Sequence, residues 1–135
     1  MEDLLQKLTD ALDPDTGPVS QRLVELVHQS PSDLASWELD ALCRKIQVTG
    51  GLHSAYDGNG WGQRASDHPA PSVALAVAAI ILAERAEVEP ETGLRWKWIN
   101  AALVAADLYQ ASGNALFGEQ IRSLTRTVLE RDNNR

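Results

Sequence analysis

Apolar residues recur along this chain at the three-and-four spacing of amphipathic helices, and in two stretches they fill the helix all round instead. Leu4, Leu5, Leu8 and Leu12 form one stripe, which predicts a helix over about Asp3 to Leu12 with Glu2 and Asp3 near its positive end. The DPDTGP segment, Asp13 to Pro18, ends it, because proline and glycine interrupt helical propagation. A second helix, about Val19 to Gln29, turns Leu23, Val24, Leu26 and Val27 inward. Ser30, Pro31 and Asp33 make a start signal for a third helix. Its predicted inward positions are Leu34, Trp37, Leu39, Leu42, Cys43 and Ile46, and Gly50-Gly51 closes it.

The pattern changes after Pro71. The run Val73 to Ala83, VALAVAAIILA, is apolar on every side, so the helix predicted from Pro71 to about Glu87 should be enclosed by others. A fifth helix, about Leu94 to Ser112, carries Trp96, Trp98, Ile99, Ala102, Leu103, Ala106 and Leu108, too many for one narrow stripe. Trp96 and Trp98 are about 200° apart on it, and a core on both sides would take both. Gly113-Asn114 makes a turn, and a sixth helix shows Phe117, Ile121, Leu124 and Val128 as its stripe, fraying from Glu130. Short connections at 88–93 and 113–114 favour antiparallel neighbours. The expectation is an all-α fold: a single domain over 1–135, built as a compact array of about six helices with two central apolar ones and a frayed 130–135 terminus.

Between the third and fourth helices lies a long polar loop, Gly50 to Pro71, GGLHSAYDGNGWGQRASDHPAP. A structureless connection of about 20 residues is uncommon in a compact domain and is often functional. His53, Tyr56, Asp57, Asn59, Trp61, Arg64, Asp67 and His68 are therefore the candidate binding residues, offering acid, base and anion-binding groups without specifying a reaction. Asp57, Asn59 and Gly62 fall at positions 1, 3 and 6 of a calcium loop, but Trp61 and His68 occupy the positions that need oxygen ligands. His53, His68, Asp57, Asp67 and Cys43 show no metal-ligand spacing, so neither a metal nor a cofactor is expected. Trp61, set among glycines, must plug into the helices, lid a pocket or meet a partner.

Elsewhere the chemistry-bearing residues read as structural. Cys43 sits among Leu39, Leu42 and Ile46 as a core thiol. Glu84, Glu87, Glu89 and Glu91 surround a turn beside Arg85 and Arg95, which favours solvated charge with weak ion pairs. Arg122, Arg126, Arg131 and Arg135 are expected to pair with the acidic N-terminal helices.

Composition narrows the function. A chain of 135 residues is long enough to fold alone. One cysteine excludes an internal disulfide and fits a reducing compartment. The opening MEDLLQ lacks the basic, then apolar character of a secretory signal, and the longest apolar run is too short for a bilayer. A cytoplasmic protein, not bound to membrane, is expected. Residues 1–40 hold nine acidic residues against Lys7 and Arg22, which accounts for the formal charge of −7. Such a segment repels phosphate backbones, so nucleic acid is not an expected partner, and it steers basic proteins. The leading expectation is a protein–protein interaction module, an acidic helical adaptor or an inhibitor of the immunity type, meeting a basic protein surface or another copy of itself. The alternative is a small enzyme or small-molecule binder with its site under the 50–71 loop.

Overall fold

Among the described residues six helices carry the fold, and one that is uncharged from Val73 to Ala83 lies at their centre. The computed structural model describes residues 2–12, 17–49, 52, 61, 72–112 and 117–134. The helices are α1 (Glu2–Leu12), α2 (Pro18–Val27), α3 (Ser36–Thr49), α4 (Val73–Val88), α5 (Thr92–Ala111) and α6 (Gly118–Asn133). No strand occurs among the described residues. The all-α expectation holds, with compact packing of the helices.

Helix α4 is buried on almost every side, at Ala74, Ala76 through Ala83, Arg85 and Ala86. It touches α1, α2, α5 and α6 as well as the turn at Pro31–Asp33. Helix α5 presents Trp98, Ile99, Ala101, Ala102, Ala105, Ala106 and Tyr109 to the same interior. Two alanine-rich faces let the helix axes come close, and close approach multiplies dispersion contacts in a dense interior.

Ion pairs show how the last three helices run. Arg95 meets Asp132 at 2.8 Å and Arg122 meets Asp107 at 3.2 Å, so the start of α5 lies by the end of α6 and the two are antiparallel. Arg131 reaches Glu87 at 2.9 Å, joining the C-terminal ends of α4 and α6, which are therefore parallel. The C-terminal arginines Arg122 and Arg131 thus pair with α5 and α4, not with the acidic N-terminal helices.

Four further expectations are corrected. The third helix does not start at Pro31. That segment makes one tight turn, Pro31–Asp33, Leu34 is extended, and α3 begins at Ser36. The reason is Arg85, whose guanidinium donates to the carbonyls of Pro31 (3.1 Å) and Leu34 (2.5 Å). Trp37 is not core: it is 57% exposed, because it lies about 160° around α3 from Leu39, whereas Glu38 turns inward. Of the tryptophan pair on α5, Trp98 is fully buried and Trp96 is 37% exposed. Finally, α6 does not fray at Glu130 but continues to Asn133, where the nearly buried Asp132 carboxylate accepts from Arg95.

Ala102, 1% exposed on the inner face of α5, tests the close approach. Ala102→Leu is expected to destabilise the protein by about 1–3 kcal/mol in urea unfolding through overpacking; an unchanged midpoint would mean that the helices leave room there.

Candidate functional site

An open groove of about 1310 Å³ lies among the described residues. It runs between α6 and the C-terminal half of α4, with Leu4 of α1 also lining it. Leu4 of α1, Val88 of α4, and Phe117 and Leu124 of α6 give it an apolar floor, while Glu84, Glu87, Glu119 and Arg131 carry its charge. Gln110 of α5 closes one side, and its Oε1 is buried without a hydrogen-bond partner among the described residues.

Helix geometry places these residues. Glu84, Glu87 and Val88 are spaced i, i+3 and i+4, so one face of α4 supplies all three. Phe117, Gln120, Leu124, Thr127 and Arg131 recur at spacings of 3, 4, 3 and 4 along α6, a seam of the kind that lines a helix–helix contact. Phe117 precedes the first residue of α6 with φ 58° and ψ 28°, a left-handed conformation uncommon for a residue of its size. Lys7 of α1 sits 5.5 Å from the centre of its ring, a cation over an aromatic face.

Electrostatics within the groove are uneven. Burial pushes the Glu84 carboxyl above its ordinary value of 4.5, and the Glu87 carboxylate pushes it the same way. Arg131 pairs with Glu87, leaving Glu84 and Glu119 as further carboxylates along the rim. The four glutamates expected to be solvated near the α4–α5 turn therefore divide. Glu89 is 6% exposed and holds Arg85 at 3.0 Å, whereas Glu84 and Glu87 face the groove.

Of the residues proposed as a site from sequence, His53, Tyr56, Asp57, Asn59, Arg64, Asp67 and His68 lie outside the described residues. Trp61 lies within them, 1% exposed and part of the same buried cluster as Leu52. Its role is that of a plug in the core. Cys43 is fully buried, and burial raises its thiol to about 12, so at neutral pH it is protonated and packs as an apolar group. Among the described residues, no group of three or more His, Cys, Asp or Glu side chains is placed to hold a metal ion.

Only part of the groove lies on the apolar stripe that periodicity predicts. Phe117, Ile121, Leu124 and Val128 read as one stripe, yet only Ile121 and Val128 are buried. Phe117 and Leu124 stay half-buried on the shoulder that faces α4. The polar members of the 3-4-3-4 seam, Gln120, Thr127 and Arg131, were the signal that this edge of α6 is not core. No helix of the described residues is long and apolar enough to cross a membrane. Compared with known proteins, the chain matches no family model, no curated protein and no solved structure.

Two measurements separate packing from function here. Trp61→Ala is expected to cost about 3–5 kcal/mol of stability in urea, as loss of a fully buried tryptophan does; a change below about 0.5 kcal/mol would place Trp61 at the surface instead. Glu84 favours folding in its protonated form, since its folded pKa is raised. Its contribution is complete below 4.5 and is lost as the pH rises through the raised value. Glu84→Gln is therefore expected to melt above the wild type at neutral pH, with the gap closing as the pH falls toward 4.5 and below; a variant that melts lower at neutral pH would contradict this.

Proposed function

We propose that the protein is an interaction module, an acidic helical adaptor or inhibitor that works by binding a basic protein. The observation that carries this reading is the groove along α6, with its apolar floor and carboxylate rim. At about 1310 Å³ and open along its length, it exceeds the roughly 300–1000 Å³ enclosures that hold small ligands. Apolar side chains left uncovered beside charge are what a partner's surface covers.

Overall charge supports the same reading. The chain carries −7, and its acidic residues are only partly absorbed internally. Glu38 is taken by Arg22, and Asp40 by Arg44 and Lys97. Asp10 and Asp33 are exposed on the same N-terminal half, as is Glu25, which pairs with Arg22 at 2.8 Å. An exposed acidic surface raises the encounter rate with a basic partner and makes binding salt-sensitive.

Native mass spectrometry of the protein isolated gently from its host tests this. The expected result is a stoichiometric complex with a basic protein whose dissociation constant weakens about tenfold or more between low and high salt. A lone chain carrying a small-molecule mass, or a protein complex indifferent to salt, would overturn it.

A further inference from the structure

We infer that the groove along α6 receives one amphipathic helix of the partner, basic on one edge and apolar on the face that enters. This rests on the interaction reading above and names the part of the partner that binds.

Length is the first argument. The seam from Phe117 to Arg131 spans about 21 Å at 1.5 Å per residue, which matches a helix of about four turns. Spacing is the second. Seam residues recurring at 3, 4, 3 and 4 present a row that an incoming helix meets with its own i, i+3, i+4, i+7 side chains. The groove is bounded by helices on both flanks, α4 on one and α6 on the other, so a third helix completes a three-helix contact with no backbone polar group left unpaired. An extended strand would have no such partner, because the walls offer side chains and no free sheet edge.

Charge fixes the character of the occupant. Apolar contact is available from Leu4, Val88 and Leu124, whereas Glu84 and Glu119 stand on the opposite walls. Glu84 is half-buried and faces the like charge of Glu87, so a cation laid beside it relieves both burdens. The only rim cation among the described lining residues, Arg131, already pairs with Glu87. Lysines or arginines flanking the apolar face of the incoming helix complete the arrangement.

A stapled leucine–lysine peptide of about four turns is the probe. Controls are a scrambled peptide of the same composition and a leucine–glutamate peptide of the same pattern. Binding is read by fluorescence anisotropy and located by amide chemical-shift changes on the full chain. The expected result is saturable binding of the leucine–lysine peptide alone, with shifts at Leu4, Glu84, Gln110 and Leu124. Val88→Lys, at a position already 49% exposed, should weaken it about tenfold or more. Val48→Lys, on the outer face of α3, should leave affinity unchanged, and melting curves of both variants check the fold. Equal binding of the scrambled peptide, or shifts outside the groove, would overturn the inference. If the peptide fails while the host complex remains salt-sensitive, the helix is wrong and the interaction reading stands. If the peptide binds but the host yields no protein partner, the interaction reading fails instead.

Discussion

Everything else in this fold is arranged around the need to enclose α4. From Val73 to Ala83 it is apolar on all faces and has no side to give to water, so its neighbours must surround that part; its last turns open to the groove. Its alanines supply little area each, and the stabilisation comes from how near the surrounding helices approach. Buried alanines line both α4 and α5, and the large buried groups Trp61, Trp98 and Tyr109 come from the loop and from α5. A centre built of small residues works only if large ones arrive from elsewhere, which is the physical reason that Trp61 belongs inside.

Buried charge fixes the ends of that arrangement. Arg85 is the one cation of α4 that the helix carries inward, 8% exposed, and it is not idle: it donates to Glu89 and to the carbonyls of Pro31 and Leu34. The Pro31 carbonyl also accepts from the Leu34 amide at 3.4 Å, so the guanidinium pins a turn that the backbone itself closes before α3. Glu38 behaves similarly. It is 1% exposed and takes two hydrogen bonds from Arg22, at 2.7 and 2.5 Å, tying α3 to α2. Removing one partner from such a pair leaves a buried charge alone, which costs far more than the pair contributes when intact.

These two arginines explain most of what could and could not be read from the chain. The six helices, the central position of α4 and α5 and the antiparallel α5–α6 pair follow from periodicity and from short turns, which are local signals. The start of α3 does not, because the turn before it is held by Arg85, 51 residues from Leu34 and 49 from Ser36, outside any window of local propensity. Trp37 departs from its expected place for a related reason. Hydrophobicity alone put it inward, but the helix phase set by Leu39, Leu42, Cys43 and Ile46 already pointed it outward, with Glu38 inside and neutralised from another helix. The loop chosen for its histidines and aspartates is represented in the described structure by Leu52 and Trp61, and both are buried. Leu4, Glu84, Glu87, Phe117, Leu124 and Arg131 stand out in the sequence, but local periodicity carries no information that α1, α4 and α6 share one edge.

The composition of α6 shows why that edge stays open. Ile121, Thr125 and Val128 face the core, and the seam beside them, about 80° around the helix, mixes Phe117 and Leu124 with Gln120, Thr127 and Arg131. A face meant for the interior would be apolar throughout, and one meant only for water would not hold a phenylalanine and a leucine one above the other. Mixed seams of this kind suit a contact that forms and dissolves, because the free state must stay soluble and the bound state must exclude water. Glu84 follows the same logic. Burial and Glu87 make its charge unfavourable in the isolated chain, so a cation placed there gains more than it would beside a fully solvated carboxylate. On the proposal that a partner helix docks here, the groove would select by sign: a neutral or acidic helix would cover the same leucine and valine but bring no cation to Glu84.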